Sequence, residues 1–404
     1  MTTVVLVGTL DTKGREYVRW RELIEAAGAR CTLVDAGILG DSQVEADIDA
    51  AAVAWAAGAD LEALRDTGDR GAAVRAMAAG AAVIARRLHA EGQLDAIAAL
   101  GGSGGTALAT EAMRALPFGV PKLMVSTVAS GDVGAYVQGA DITMSYPVVD
   151  VVGDNRVVES VLRTAAGAVV GMARSAAVEV ATSGRAVVAA TMFGVTTPCV
   201  TAARERLEAA GREVLTFHAT GVGGDSMERL IGDGVVDAVL DVTTTELADE
   251  LVGGIHPAGP ERLRAAGRRG IPQVISVGAL DMVNFGPPET VPAHLAGRLT
   301  VRHNPMVTLV RTSPQECAEL GARLAERARA ATGPVSVYLP LRGVSALSVD
   351  GGPFHDPAAD AALFDAIRAG CAGEVELVEL DCDINAPAFA RAVADAITIG
   401  ADGD

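Results

Sequence analysis

A glycine-rich loop with two hydroxyl side chains follows an apolar stretch in the first half of the chain. The stretch Ala98–Leu100 leads into a helix-like segment, Ala107–Leu116. The loop between them consists of Gly101, Gly102, Ser103, Gly104, Gly105 and Thr106. A strand that ends at glycines and continues as a helix exposes backbone N–H groups, which bind anions and most often phosphate. The loop lacks the Lys-Ser/Thr ending of a Walker A loop and is not a G-x-G-x-x-G in register, so a tight strand–helix turn is the alternative.

A second polar segment, Gly8–Gly14, follows the predicted first strand. Its polar side chains are Thr9, Asp11, Thr12 and Lys13. Because ligands collect at the carboxyl ends of strands in open α/β sheets, we expect these residues to face the glycine-rich loop across one crevice. Lys13 is expected to pair with a phosphate, and Asp11 to hold Mg²⁺, orient Lys13 or cap the next helix. Ser126 and Thr127 follow a further predicted strand and add hydroxyl groups.

Polar residues also follow four predicted strands of the second half. These junctions are Thr191–Cys199, Phe217–Gly224, Asp241–Glu246 and Gly278–Asn284. We expect them to converge on one rim that binds a small-molecule substrate, with His218, Glu246 and Asp281 as the catalytic acid–base candidates. The expected substrate-binding residues are Thr196, Thr197, Gly223, Gly224, Asn284, Arg302, His303, Asn304 and Arg311.

Each of these residue types has a structural alternative. The run Gly221–Gly224 before a helix is a second candidate anion site, and Arg302 and Arg311 could hold a substrate carboxylate. A lone histidine such as His218 is more often structural. Cys199 could act as a nucleophile, although the sequence fixes no base beside it.

Strand-like and helix-like runs alternate along the 404 residues, of which 50% are hydrophobic and 3% aromatic. This pattern predicts an α/β protein made of two Rossmann-like doubly wound domains with mostly parallel sheets and a cleft between them. The first helix is predicted over Arg15–Ala27. The Thr-Ser-Gly punctuation within Ala176–Arg185 predicts domains at 1–180 and 181–404, the first of which binds the nucleotide.

Composition excludes several classes of function. The net charge of −18 disfavours nucleic acid and anionic membranes as partners. The five cysteines form no CxxC pair or Cys/His cluster, so neither a zinc site nor a disulfide framework is expected. Without a signal-peptide pattern or an uninterrupted apolar run of membrane-spanning length, we expect a cytoplasmic protein with no membrane partner.

Several motifs together resemble one family, the ATP-binding N-terminal region of the plant tobamovirus-resistance protein and its bacterial homologues. The matching stretches include GTLDTKG, LGGSGGT, PKLMVSTVASGDV, TMFGVTTPCV, FHATGVGG, DVTTTELADE, GALDMVNFG and RHN. The resemblance implies two Rossmann-like subdomains, ATP in the first, and a homodimer. It implies phosphate contacts for Lys13 and Gly102–Gly105, with Ser126 and Thr127 near the ligand. The plant protein's additional TIM-barrel-like region is absent here and implies a separate partner polypeptide.

Two functions follow from these residues. The first is an ATP-dependent enzyme, a ligase or kinase, that activates a small organic or sugar acid with Mg²⁺ bridging the phosphates. The second is a non-catalytic ATP-binding module that regulates or interacts with a partner protein. A third reading, an NAD-dependent dehydrogenase, is disfavoured because the first strand ends in GTLDTKG rather than a dinucleotide fingerprint.

Overall fold

The computed structural model describes residues 1–178 and 184–401. The chain divides into two compact units, Met1–Ala181 and Thr182–Asp404. The predicted boundary, Ala176–Arg185, includes residues 179–183, which lie outside the described residues. No helix in the described part of the chain combines the length and apolar composition that a membrane crossing requires.

Unit 1 is a parallel sheet between two layers of helices. Its strands are β1 (Thr3–Gly8), β2 (Arg30–Asp35), β3 (Ala96–Gly101), β4 (Lys122–Ser126) and β5 (Thr143–Ser145). Its helices are α1 (Leu10–Ala26), α2 (Ala50–Ala56), α3 (Leu61–Asp66), α4 (Arg70–Ala90), α5 (Ser103–Arg114), α6 (Gly134–Val137) and α7 (Arg156–Ala176). The strand order is β2-β1-β3-β4-β5, with parallel pairing throughout the described strands.

The six residues of β1 are all buried, so its alternating side chains feed two cores. Val5 and Val7 pack with α4 and α5. Val4 and Leu6 pack on the other face with α1 and α7. Because α1 and α5 cover opposite faces, the chain leaves a crevice between the carboxyl ends of β1 and β3, the switch point of this strand order.

Unit 2 repeats this arrangement with one more strand and a small antiparallel sheet. Its strands are β6 (Val187–Met192), β7 (Glu213–His218), β8 (Ala238–Thr243), β9 (Gln273–Gly278), β10 (Met282–Phe285), β11 (Thr300–Asn304), β12 (Val307–Arg311), β13 (Val335–Pro340) and β14 (Glu376–Leu380). Its helices are α8 (Thr197–Ala209), α9 (Val222–Gly232), α10 (Glu246–Val252), α11 (Ala265–Arg269), α12 (Pro314–Arg329), α13 (Pro357–Cys371) and α14 (Pro387–Ala401).

The large sheet of unit 2 is parallel and has the order β14-β13-β9-β8-β6-β7. The antiparallel sheet has the order β10-β12-β11. The predicted α/β class with mostly parallel sheets is therefore confirmed. The antiparallel sheet was not predicted, and it contains Asn284 and Arg302–Asn304, for which the sequence analysis assigned no strand.

Candidate functional site

The crevice of unit 1 opens where β1 and β3 separate. The two strands pair from Val4 to Leu6, and beyond that point the Tyr17 hydroxyl joins them. Two backbone carbonyl oxygens lie within reach of its single proton, Val7 O at 2.7 Å and Leu100 O at 2.9 Å. The hydroxyl oxygen also accepts from Leu100 N at 2.8 Å. Burial raises the pKa of Tyr17, so the hydroxyl keeps its proton. The tyrosine thus fixes the spacing of the two strand ends.

A cavity of about 250 Å³ lies at these strand ends. The glycine-rich loop and the Gly8–Gly14 segment, widely separated in sequence, both line it. Its lining residues are Thr9, Asp11, Thr12, Lys13, Ala36, Ile38, Leu39, Arg70, Val74, Gly101, Gly102, Ser103, Gly104, Gly105 and Leu108. The structure therefore brings together nine of the twelve residues predicted to bind a cofactor: Thr9, Asp11, Thr12, Lys13 and Gly101–Gly105.

Both predicted loops form first turns of helices at this cavity. A first turn at Leu10–Thr12 precedes the predicted start at Arg15 and joins the rest of α1 at a kink, where Lys13 has non-helical φ and ψ of −129° and 24°. Helix α5 begins at Ser103 rather than Ala107. The N-cap side chain of α1, Thr9, makes no capping hydrogen bond, and the N-cap of α5, Gly102, has no side chain to make one. The N-cap residues Asp49, Asp60, Asp69 and Asn155 do cap α2, α3, α4 and α7.

First-turn N–H groups have no partner within their own helix, and the positive end of the helix dipole favours a negative charge there. At the starts of α1 and α5 the N-cap side chain accepts none of these donors, although Asp35 accepts from Leu10 N at 3.1 Å. Gly101 and Gly105 also pack closely, since a Cβ at Gly101 would lie 3.3 Å from Gly105 Cα. This arrangement suits an anion.

Lys13 lines the cavity, and its ammonium group also binds the segment after β5. Nζ donates to Val151 O at 2.7 Å and to Asp150 Oδ1 at 3.1 Å. The side chain of Lys13 is 14% exposed and that of Asp150 is 65% exposed. Since an ammonium has three N–H donors, one donor of Lys13 remains beyond these two contacts.

Lysine is rare in this chain. Of 33 lysines and arginines, only Lys13 and Lys122 are lysines. Lys122 is fully buried and donates to Pro117 O, Val120 O and Asp141 Oδ1. Lys13 is therefore the lysine whose side chain reaches the surface, and it does so at the cavity.

Two carboxylates lie beside the start of α1. Asp11 Oδ2 accepts from Leu39 N at 2.7 Å, whereas Asp11 Oδ1 is buried without a partner among the described atoms. Asp35 Oδ1 accepts from Leu10 N at 3.1 Å and from Gly37 N at 2.8 Å. Burial raises the pKa of Asp35. Asp35 therefore anchors the α1 start, and Asp11 offers a free oxygen at the cavity.

The remaining predicted cofactor residues lie beside the cavity. Thr106 and Ser126 are buried and join their hydroxyls at 2.6 Å, which ties α5 to the end of β4. Thr127 begins a short 3-10 turn and its Oγ1 would lie 3.8 Å from a Cβ at Gly102. Contact of Thr106, Ser126 and Thr127 with a ligand stays a prediction.

In unit 2, the second predicted anion site contains a carboxylate of the chain itself. Glu246 Oε1 accepts from Gly221 N at 2.7 Å and from Gly224 N at 3.0 Å. Glu246 is fully buried, and a Cβ at Gly224 would lie 2.2 Å from its Oε2. A Cβ at Gly223 would lie 1.7 Å from His218 O, so glycine is required there as well. Glu246 therefore occupies the position that a ligand anion was expected to take.

Arg262 completes this buried network, and the sequence analysis did not single it out. Its guanidinium donates to Glu246 Oε2 at 2.6 Å, to Asp241 Oδ1 at 2.7 Å and to Glu228 Oε1 at 3.3 Å. Glu228 also accepts from the backbone N–H of Ala265 at 2.8 Å. Burial raises the pKa of Glu246 and Glu228, which Arg262 opposes. No local motif signals this cluster, because its members lie 16 to 34 residues from Arg262.

Asp281 and Arg311 are also internal. Asp281 Oδ2 accepts from Ser345 Oγ at 2.7 Å, and its Oδ1 is buried with no partner among the described atoms. Burial raises the pKa of Asp281 to about 6. Arg311 is 3% exposed and donates to Asp360 Oδ1 at 2.6 Å and to Phe354 O at 2.9 Å. A substrate carboxylate would have to displace these partners of Arg311.

Asn284 pairs with a second buried carboxylate. Its backbone N and its Nδ2 each donate to Asp249, both at 2.7 Å. Burial raises the pKa of Asp249 to about 7. Asn284 Oδ1 is buried without a partner among the described atoms. Asn284 therefore has a structural partner, and substrate contact stays a prediction.

The other predicted substrate residues divide between interior and surface. Thr196 is buried, with its hydroxyl 2.7 Å from that of Thr243, and Thr197 donates to Phe193 O. His218 is exposed at the end of the edge strand β7. The segment Arg302–Asn304 is exposed on β11. These residues do not share one open rim within unit 2.

The described residues offer neither a reactive thiol at Cys199 nor a cluster of metal ligands. Cys199 is buried, which raises the pKa of its thiol to about 12, so it is protonated at neutral pH. Within residues 1–178 and 184–401, no group of three or more His, Cys, Asp or Glu side chains is arranged to hold a metal ion.

Family comparisons cover both units. The N-terminal domain of the family described as "Uncharacterised protein family (UPF0261)" matches residues 2–178, and its C-terminal domain matches residues 185–399. The chain belongs to the UPF0261 family. A UPF0261 protein of Clostridium tetani is 45% identical over 97% of both chains. The UPF0261 protein RA0729 of Rhizobium meliloti is 47% identical, again over 97% of both chains.

A plant relative is also similar to this UPF0261 chain. The ToMV resistance protein Tm-1(GCR237) of Solanum lycopersicum is 45% identical over 298 residues, which are 73% of this chain and 40% of the tomato protein. The predicted resemblance to the tobamovirus-resistance protein and bacterial homologues is confirmed at this level, and ATP binding stays a prediction. Among solved structures, "Crystal structure of acinetobacter baumannii MurG" covers 99% of this chain at 10% identity with a TM-score of 0.22, which supports no inference.

Proposed function

We propose that unit 1 binds ATP, with the phosphate groups in the cavity between β1 and β3. One observation carries the proposal: α1 and α5 both begin at this cavity without a hydrogen bond from the N-cap side chain, and Lys13 lines the same cavity. Backbone N–H groups at two helix N-termini and one ammonium are donors suited to a polyphosphate. Asp11 Oδ1 would be the protein ligand of the Mg²⁺ that accompanies it.

The function we favour is a non-catalytic ATP-binding module that acts with a partner. The support is the state of unit 2, where Glu246, Asp281 and Arg311 are internal and hydrogen-bonded. Unit 2 contributes to structure in this proposal, and unit 1 carries the ligand site. Self-association as a homodimer and a separate TIM-barrel partner are part of the same proposal, since the tomato relative extends well beyond the region matched here.

ATP-dependent activation of a small organic or sugar acid is the second candidate. Asp281 supports it, because a buried carboxyl with an unpartnered Oδ1 and a pKa raised to about 6 suits proton transfer. An enzyme would release ADP or AMP when an acid substrate is present, and a binding module would not.

A thermal-shift titration with ATP, ADP, AMP and NAD⁺, with and without Mg²⁺, tests the site. A ligand that binds only the folded state raises the melting temperature with its concentration. We expect a Mg²⁺-dependent shift with ATP and none with NAD⁺. No shift with any nucleotide would remove the support for ATP.

Lys13→Ala tests the ammonium group that lines the cavity. Loss of a charged hydrogen bond to phosphate is expected to weaken ATP binding about 10- to 100-fold. Arg15→Ala is the matched control, because Arg15 is an exposed cation on the same helix and does not line this cavity. Equal affinities of the two variants, measured by calorimetry, would place Lys13 outside the site.

A further inference from the structure

The segment Tyr146–Val152, which we call the strap, follows β5 and crosses to the start of α1. Lys13 binds it through Asp150 Oδ1 and Val151 O. One helical turn later, Glu16 Oε1 accepts from Gly153 N at 2.8 Å, just beyond the strap. Residues on one face of α1 therefore fasten the strap and its continuation.

The strap has features of a segment that is held in place. Val148 has a φ of +68°, a left-handed conformation that a β-branched residue rarely adopts and that costs free energy. Tyr146, Val148 and Val152 are 48%, 70% and 55% exposed, whereas Pro147 is buried and Val151 is 1% exposed and packs in the core beside α1 and α7. The strap is therefore anchored at Val151, and the polar contact of Asp150 with Lys13 adds to the hold on the residues before it.

The ammonium of Lys13 can interact with an anion in the cavity or with Asp150. It lines the cavity, where an anion would bind it, and it pairs with Asp150, whose negative charge opposes any anion nearby. Because the side chain of Asp150 is 65% exposed, this ion pair is weak and exchangeable. Val151 O is uncharged and need not be displaced when an anion approaches.

We propose that Asp150 competes with the anionic ligand for Lys13, so that occupation of the cavity releases residues 146–150 of the strap, while Val151 stays buried. The inference rests on the proposed function, because the ligand is a polyphosphate such as ATP. Asp150 acts through Lys13 and is a positioning residue. The ion pair lowers the affinity of the site, and its exchange for a phosphate contact transmits occupancy from the cavity to the surface around Tyr146.

Asp150→Asn is the decisive variant, because it removes the charge and keeps an acceptor for Lys13. Asp154→Asn is the matched control: it makes the same charge change at an exposed position near the strap. We expect Asp150→Asn to bind Mg²⁺-ATP and inorganic pyrophosphate about two- to fivefold more tightly than the wild type. Asp154→Asn should bind like the wild type, and unchanged or weaker binding by Asp150→Asn would overturn the proposal.

Two readouts follow the strap and Lys13 directly. Amide hydrogen exchange over residues 146–150 should be faster in Asp150→Asn than in Asp154→Asn, and ATP should accelerate it in the wild type. Acylation of Lys13 by an amine reagent, followed by mass spectrometry, should also be faster in Asp150→Asn. Strap exchange that slows when ATP binds would contradict the release of the strap.

The same experiments separate the two proposals. If neither the wild type nor Asp150→Asn binds either probe, the proposed ATP function is wrong. Exchange and acylation then decide the role of Asp150 alone: faster rates in Asp150→Asn support the competition for Lys13, and equal rates in Asp150→Asn and Asp154→Asn overturn it.

Discussion

Glu246 supplies the start of α9 with an anion that belongs to the chain. Its carboxylate accepts from Gly221 N and Gly224 N and pairs with Arg262 in the interior of unit 2. Without Glu246, Arg262 would keep Asp241 and Glu228 as partners, but its Nε–H and the N–H groups of Gly221 and Gly224 would lose their acceptor in the interior. Glu246 is therefore a site where stability depends on a single carboxylate.

Glu246→Ala should lower the free energy of unfolding by about 3–5 kcal/mol, because three buried donors, Arg262 Nε–H and two backbone N–H groups, lose their acceptor at about 1–3 kcal/mol each. Acetate should restore much of the loss, since it replaces the missing carboxylate. The measurement is urea denaturation with acetate or with chloride at equal ionic strength. Glu250→Ala, an exposed change on the same helix, is the control. A loss that acetate does not reduce would contradict this role.

Asp249 makes stability depend on pH with a definite sign. Its pKa is raised from 3.8 to about 7 by burial, so the folded state binds a proton that the unfolded state releases at lower pH. Its contribution to the free energy of unfolding is therefore complete below about pH 4 and is lost as pH rises through about 7. Asp281, with a pKa of about 6, acts in the same direction.

Asp249→Asn should remove the Asp249 part of this dependence. The amide is a neutral substitute for the protonated acid and could donate to Asn284 Oδ1, which is otherwise unpartnered. We expect the variant to unfold with less pH dependence between pH 5 and about 7 and to be more stable than the wild type near pH 8. Asp350→Asn, at an exposed position, should keep the wild-type slope in denaturation series across this range.

The sequence predicts which residues line the cavity of unit 1, but not the partners of Glu246 in unit 2. The types and order of Lys13, Asp11 and the glycines were enough to predict that they line one crevice, because strand ends in a parallel sheet meet at one edge. The partners of Glu246 could not be predicted, since Gly221, Gly224 and Arg262 are 16 to 25 residues away and carry no shared motif. Tertiary packing alone decides which carboxylate fills a glycine-rich turn.

Helices α1 and α5 both have a helical turn earlier in the chain than predicted, and the glycines around these turns explain the difference. Glycine disfavours a helix interior, so Gly14 and Gly102–Gly105 indicate loop when read locally. In the structure these glycines lie in or next to first turns, and close packing favours glycine at Gly14, where a Cβ would lie 3.1 Å from Gln43 Cβ. The short strands β10 and β11 were missed because their polar residues resemble junctions.

Gly104→Asp should separate helix stability from ligand binding. Gly104 is exposed in the first turn of α5, and a Cβ there meets no atom within 4 Å. A carboxylate at this position interacts favourably with the helix dipole. This interaction stabilises the helix by about 0.3–1 kcal/mol and should raise the free energy of unfolding. The same charge should repel phosphate and weaken ATP binding, as measured by calorimetry.

Gly167→Asp provides the comparison for that variant. Gly167 is exposed in α7, and its Cβ would also meet no atom within 4 Å. This variant should keep the ATP affinity of the wild type. Unchanged ATP binding by Gly104→Asp would exclude the start of α5 from the ligand site.

For the whole molecule, the two units share a strand order and differ at the switch point. In unit 1 the ends of β1 and β3 border a cavity. In unit 2 the corresponding strands are β6 and β8, and there Thr191 donates to Asp241 while the hydroxyls of Thr196 and Thr243 meet. The alternation of elements predicted both sheets. It could not predict which crevice stays open, because that depends on side chains packed across strands.

The scarcity of lysine gives a measurement that covers the whole of unit 1. Lys122 is fully buried, so an amine reagent should modify it only when the unit opens, whereas Lys13 reaches the surface. We expect Lys13 to react much faster than Lys122 under native conditions, with both sites quantified by mass spectrometry. Comparable native rates at the two lysines would contradict the burial of Lys122.

The contact between Gly8 and Tyr17 has a consequence for the evolution of relatives. A Cβ at position 8 would lie 2.1 Å from Tyr17 Cζ, inside the ring's own volume. The two positions are therefore coupled: a relative that replaces the glycine must also shorten the aromatic side chain, and thereby lose the hydroxyl that joins Val7 to Leu100. In an alignment of the family, positions 8 and 17 should change together or not at all.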